Sequence, residues 1–465
     1  MLSGRFDMDF WSGTVLRMAH SEPAVRNAMI TLAHLNKSQR GSLAATSTAH
    51  QSAQFWTYYN KAVRALIDRM NESSYTPEVG LVTCILFACV EFLRVDTQNA
   101  IIHMKNGLKI VAELRETQGM KVATRRADAR KSGMSGPLAM IEKTLVPIFT
   151  QGLISALLCG VDTDTQFAFM DALPQHVHAQ DFANLIEART AFWDLRNASI
   201  LLARDMAIKM FEGLQPNQED LERQRHVLDC HHTWWKALAV FEESRAMSEE
   251  ERLAVSALKV GYYSTYTASA CVNDARQMSF DAHLIDFKAL LLHAKALVNA
   301  WDLARTSHTQ DTSSRAAANF TFDSSLIPPV YYTALRCRCP TTRREAIALL
   351  SYDLPREGLW DSEQSRIVAE RVLEIEETEV DGKGWPVERV RLWSGAVTVD
   401  PDNDRRFNAD FLFAEDIGKV SGKGWNGWCR LSGEDKKSPS VADLYMDTPL
   451  QSIVETSDRY QINRV

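Results

Sequence analysis

LVTCILFACVEFL, residues 81–93, is apolar on nearly every side, and that stretch narrows what the chain can become. A helix that is apolar all round cannot lie on a surface; other elements have to cover it on several sides. The flanking sequence offers such covers. Val25, Ala28, Leu32 and Leu35 recur at three- and four-residue steps just after Ser21-Glu22-Pro23, a helix-start signal. Tyr59, Val63, Leu66 and Met70 repeat the pattern, as do Ile101, Met104, Leu108 and Val111. The cleanest case is Leu284, Phe287, Leu291, Ala294, Val298 and Trp301, whose spacing puts all six on one face with Lys288, Lys295 and Asn299 elsewhere. That face is either core or a partner surface. No period of 20–50 residues recurs, which speaks against a solenoid. The expectation is an all-α protein, with one large multi-helix domain over residues 1–380.

Residues 381–465 change character. RVRLWSGAVTVD and RRFNADFLF (389–413) mix β-branched and aromatic residues around Pro401-Asp402-Asn403-Asp404, a turn sequence. They predict a small C-terminal β-hairpin extension followed by an irregular tail. GKGW occurs at 382–385 and again at 422–425, too short a word to make a repeat. Small, polar or basic stretches predict mobile loops near 39–51, 115–137 and 304–319.

The chain has 465 residues, 45% of them hydrophobic and 24% charged, enough to build a large core, and its net charge is −7. A chain that found nucleic acid through its overall field would be basic instead. Eight cysteines occur without a C-x-x-C pair, the usage of reduced thiols in a cytosolic or nuclear protein. The start lacks the basic-then-apolar order of a secretory signal. TLVPIFTQGLISALLCGV (144–161) contains Pro147, Gln151 and Gly152, and reads as a buried helix rather than a membrane span. Lys121, Arg125, Arg126, Arg130 and Lys131 form a basic loop, either a nuclear-import signal or a solvated linker.

Two stretches invite a chemical reading. RCRCPTTRREAIALL (336–350) crowds two cysteines and four arginines together, but Cys337 and Cys339 have one residue between them and the next cysteine is Cys429. That is not a zinc-ligand spacing. Thr342-Arg343-Arg344-Glu345 fits a capping box at a helix start, with the arginines expected to pair with Glu357, Asp361 or Glu374. In RHVLDCHHTWW (225–235), His226 and Cys230 are four apart and meet on a helix. The adjacent His231 and His232 point about 100° apart and cannot both join them. Trp234, Trp235, Leu238 and Phe241 suggest aromatic packing, and the expectation is no metal site. Phosphate-loop, nucleophile-elbow, H-E-x-x-H and dinucleotide fingerprints are absent from the sequence. NDARQMS (273–279) begins like a magnesium motif, but its serine sits at the wrong offset and no acid follows at the needed step. Glu374, Glu376, Glu377 and Glu379 read as a solvated acidic face. No catalytic, metal or cofactor residue is therefore expected, and the protein is not expected to be an enzyme.

Four segments together carry a resemblance: DFWSGTVLRMAHSEPAVRNAMITLAHLN (9–36), FWTYYNKAVRAL (55–66), CILFACVEFLRVDTQNAIIHMKNGLKIV (84–111), and 322–377 with its "LIPP" and "PREGLWDS". Over about 9–400 the chain resembles the fungal-specific regulatory region of fungal Zn(II)2Cys6 transcription factors. The resemblance implies transcription regulation, a nuclear location, and partners that are other regulators or co-regulators, including a homo- or heterodimer mate. It implies no membrane association. In that family a separate six-cysteine zinc cluster contacts DNA. This sequence contains no such cluster, so no DNA-binding residue carries over and DNA is reached indirectly, or through a cluster outside this sequence. The resemblance names no effector-binding residue. Two other functions stay open at this level: a helical scaffold that sequesters a regulator, and a helical enzyme of a fungal biosynthetic pathway.

Overall fold

Pro77 opens the helix that carries the apolar run, and from Val79 to Leu93 every residue of it is buried. The computed structural model describes residues 9–38, 53–117, 140–158, 174, 176–178, 182–307, 320–322, 324–400, 403–418 and 424–430. The loop expected at 39–51 lies outside these, as do 118–137 of the second expected loop, with its basic residues, and 308–319 of the third. The chain divides into two compact units.

The first unit comprises Met1–Ala172, Leu303–Ser324 and Leu354–Asp361. Its helices are α1 (Leu16–Ser21), α2 (Pro23–Ser38), α3 (Ala53–Met70), α4 (Pro77–Leu93), α5 (Thr97–Thr117) and α6 (Val146–Leu158). Wide π-type turns precede α1 at Asp9–Val15 and α6 at Ile141–Leu145. α2, α3 and α5 pack against α4, which supplies the cover its composition demands. Val25, Ala28, Leu32 and Leu35 on α2 are buried as the spacing predicts, and so are Ile101, Met104, Leu108 and Val111 on α5. α3 departs from its predicted face: Phe55 and Ala62 are its buried residues, while Tyr59, Val63 and Leu66 are half-buried and Met70 is exposed. α6 is a core helix, with Ile148, Phe149, Leu153 and Ile154 buried. No helix among the described residues is long and apolar enough to cross a membrane.

Two glycines let α5 and α6 meet closely. A Cβ on Gly107 would stand 2.2 Å from ring carbons of Phe149, and one on Gly152 would stand 2.0 Å from Met104 Cε. The contact is fastened at its end by Arg115, which donates to both Glu142 oxygens at 2.8 and 2.6 Å. A short parallel pair, β1 (Phe320–Thr321) with β2 (Arg356–Glu357), completes this unit, and the Phe322 ring beside it lies 5.9 Å from that of Phe92.

The second unit comprises Leu173–Asp302, Ser325–Asp353 and Ser362–Val465. It contains α7 (Leu185–Phe211), α8 (Gln218–Glu243), α9 (Glu249–Ala270), α10 (Leu284–Ser307, to Asp302 in this unit), α11 (Ile327–Arg336), α12 (Pro340–Leu350) and α13 (Ser362–Glu376). Polar caps fix the starts of the first three. Asn184 accepts from the Glu187 amide, and Asn217 with Asp220 and Ser248 with Glu251 form capping boxes. α7, α8 and α9 pack against one another. On α10, Phe287, Leu291, Ala294 and Val298 are buried together with Leu290 and Leu297, so the apolar face is core and is not open to a partner.

The C-terminal strands exceed the expected hairpin. β3 (Leu392–Asp400), β4 (Asn403–Phe413) and β5 (Gly424–Arg430) form a three-stranded antiparallel sheet in that order. β3 ends at Asp400 and β4 begins at Asn403, with Ala396 opposite Asp410; residues 401–402 of the predicted turn lie outside the described residues. β5 escaped notice because GWNGWCR has two glycines where β-branched residues usually signal a strand. Along β4, Phe407, Ala409 and Phe411 are buried and alternate with half-buried Asn408 and Asp410, the period-two pattern of a sheet with one covered face.

Candidate functional site

The arginine stretch 336–344 is a buried polar network, not a recognition surface. α12 starts two residues before the predicted capping box: Pro340 occupies its first turn, Cys339 is the cap, and Thr342 lies inside the helix. Glu345 pairs with Lys295 instead of closing a box. The predicted acid partners are also replaced. Arg338 and Arg343 both converge on Glu376, at 2.9 and 2.5 Å, and the Leu392 amide donates to the same carboxylate at 2.8 Å. All three charged side chains are fully enclosed. Burial pushes the Glu376 carboxyl up, but Arg338, Arg343 and the Leu392 amide outweigh it and bring it down to about 2. Burial lowers Arg338 to about 10.

Glu376 is therefore no solvated residue. It ends α13 and ties that helix to the α11–α12 connection through Arg338, to α12 through Arg343 and to β3 through the Leu392 amide. Around it, Arg336 donates to the Trp393 carbonyl at 2.7 Å, and Arg391 grips Asp281 at 2.8 and 2.7 Å. Only Arg344 reaches outward, pairing with Glu377. The cap cysteine is distinct from its neighbour. Burial pushes the Cys339 thiol up, yet hydrogen bonds from Thr341 and Thr342 outweigh it and bring it to about 7. Burial drives Cys337 to about 11.

α8 carries the second stretch and resolves its three histidines. His231 turns into the core, where its Nε2 lies 2.9 Å from Ser199 Oγ. Ser199 donates to the Leu195 carbonyl at 2.9 Å, so His231 Nε2 carries the proton in that pair. Burial lowers His231 to about 3, which keeps it neutral. His232 is exposed, against Tyr266. Trp234, Leu238 and Phe241 are buried as expected, and the Trp234 indole donates to the Ala188 carbonyl at 2.9 Å.

His226 and Cys230 do meet, with Nε2 and Sγ 3.6 Å apart. They are joined by a residue that sequence spacing does not connect to them. His176, from the segment before α7, places its Nδ1 3.9 Å from Cys230 Sγ. The three donor atoms lie within 4.8 Å of one another. The Pro174 carbonyl lies 2.7 Å from His226 Nε2 and 3.4 Å from Cys230 Sγ, and the Val177 amide donates to Thr233 Oγ1 at 3.4 Å. Positions 226, 230 and 233 share one face of α8 and hold Pro174, His176 and Val177 along it. Burial raises the metal-free Cys230 thiol to about 11. The signal that sequence reading passed over is His176-Val177-His178, an H-x-H word.

Two further features have plain chemistry. Asp274 of NDARQMS accepts from the Ser279 hydroxyl at 2.8 Å and from the Ser279 and Arg276 amides at 2.6 and 3.0 Å, which makes it a turn-forming aspartate. His283 lies 2.8 Å from Asp286, and hydrogen bonds with Asp286 and Cys271 raise it to about 9. In the first unit an open cleft of about 360 Å³ is bounded by Phe10, Ser12, Thr14, Arg17, Met140 and Thr144. Arg17 at its wall donates to Thr14 Oγ1 at 3.2 Å.

Residues 6–138 match a family model described as "Fungal specific transcription factor domain". The resembling stretches 9–36, 55–66 and 84–111 fall inside that match, and 322–377 falls outside it. No curated protein and no solved structure matches the chain.

Proposed function

We propose, from the match of residues 6–138 to the fungal-specific transcription factor domain, that the protein is a transcription regulator of the fungal Zn(II)2Cys6 type, acting in the nucleus through its regulatory and interaction region. The family match is the observation that carries this reading. The matched stretch includes α2–α5, the helices that enclose and include α4. The basic stretch of the second unit offers no competing DNA contact, because Arg338, Arg343 and Arg391 are spent on Glu376 and Asp281 inside the protein. DNA is then reached through partner regulators, or through a cluster outside this chain.

The test is to fuse the whole chain to an unrelated DNA-binding domain and place a reporter beneath its binding site. Reporter output should change relative to the DNA-binding domain alone, and a fluorescent version should collect in the nucleus. A folded, nuclear fusion that leaves output unchanged would remove the regulatory reading.

A further inference from the structure

We infer that His176, His226 and Cys230 form a binding site for a borderline-soft divalent cation, Zn²⁺ in first place. The inference rests on geometry in the second unit and is independent of the regulatory reading. Around a tetrahedral zinc, with Zn–N about 2.0–2.1 Å and Zn–S about 2.3 Å, sulfur and nitrogen stand about 3.6 Å apart. Cys230 Sγ is 3.6 Å from His226 Nε2 and 3.9 Å from His176 Nδ1. All three donor atoms lie within 4.8 Å of one another, close enough for a small adjustment of the exposed His176 to bring them onto one ion.

Two ligands come from one turn of α8, a rigid element that fixes their spacing, and the third comes from the segment laid along it. The donor types select the metal: one thiolate and two imidazoles suit zinc and disfavour magnesium, calcium and manganese. His176 is exposed and Cys230 buried, so the site sits at the surface with its sulfur inward. The fourth position falls to the Pro174 carbonyl, 3.4 Å from the sulfur, or to water.

Binding balances simply. The cation replaces the Cys230 thiol proton, which leaves to solvent, and the His226 proton moves from Nε2 to Nδ1 so that the Nε2 lone pair is free to ligate. No electron changes hands. In the metal-free state the His226 N–H and the Cys230 S–H donate to the Pro174 carbonyl instead, a weaker latch between the same two pieces of chain. Metal should therefore tighten the hold of α8 on Pro174, His176 and Val177.

The experiment uses the full chain, purified without a histidine tag, stripped with chelator and titrated with Co²⁺. One equivalent should bind with a thiolate-to-cobalt charge-transfer band and the ligand-field bands of a tetrahedral site, and Zn²⁺ should displace it. Cys230→Ser should abolish the charge-transfer band. His176→Asn, at an exposed position that leaves the core intact, should weaken Co²⁺ binding at least ~10-fold, the lower end of what losing even an outer partner costs a site. Cys339→Ser should leave the spectrum unchanged. A folded wild-type chain without a thiolate band would overturn the proposal in favour of the metal-free latch. So would a band that survives Cys230→Ser, or an unaltered affinity in His176→Asn.

Discussion

Glu376→Gln should be among the most damaging single-atom changes available in this protein. The carboxylate neutralises two guanidinium groups, Arg338 and Arg343, that are as fully enclosed as Glu376 itself. Glutamine preserves the shape and one acceptor but leaves both cations without a counter-charge, and it turns an NH₂ toward groups that only donate. Removing one partner of a buried ion pair costs about 3–5 kcal/mol. One acid serving two cations belongs in the upper part of that range, and the retained acceptor brings the expected loss to about 4 kcal/mol. Glu377→Gln is the internal control. Its partner Arg344 is 52% exposed, so the loss there should stay below about 1 kcal/mol. Urea unfolding followed by tryptophan fluorescence and circular dichroism separates the two. With a slope of about 2 kcal/mol per molar urea, Glu376→Gln lowers the midpoint by about 2 M and Glu377→Gln by less than about 0.5 M. Equal midpoints for the two variants would refute the argument that enclosure decides the outcome. The pH dependence follows from the same site. Glu376 is depressed from 4.5 to about 2, so its contribution is fully present above pH 4.5 and is lost as pH falls toward 2.

Two other outcomes test separate parts of the protein. Gly107→Ala should destabilise the first unit by about 1–3 kcal/mol, read as a fall in melting temperature, because a methyl group there collides with the Phe149 ring; an unchanged melting temperature would refute the close α5–α6 contact. His283, raised from 6.5 to about 9 by Asp286 and then Cys271, contributes stability that is fully present below pH 6.5 and lost as pH rises through 9. An NMR titration should find that value in the wild type and a return toward 6.5 in Asp286→Asn.

What the sequence disclosed was local and periodic. α4 could be read because its apolar run over 81–93 is longer than a buried strand usually is, and the α2 and α5 faces because their spacing repeats within a single helix. What it concealed was long-range. Glu376 looks like one acid in a solvated run, and only the return of α13 onto α12 removes it from water. His176 lies 50 positions before His226, so no local spacing announces their meeting. The capping box at Thr342 was chemically sound, but Pro340 starts the helix earlier by supplying a preset φ and needing no amide partner. β5 is a strand because β4 offers it an edge, not because its own residues prefer one.

The notch at Gly107 bears on how the matched stretch can be cut. The family match ends at residue 138, while the ring that fills the notch belongs to Phe149 and the helix that covers Met104 runs from Val146 to Leu158. A piece trimmed to the edges of the match would present a bare groove along α5 to solvent and invite sticking to whatever is near. The edge of the match and the edge of the packed unit are two different places in this chain, and the second lies farther on.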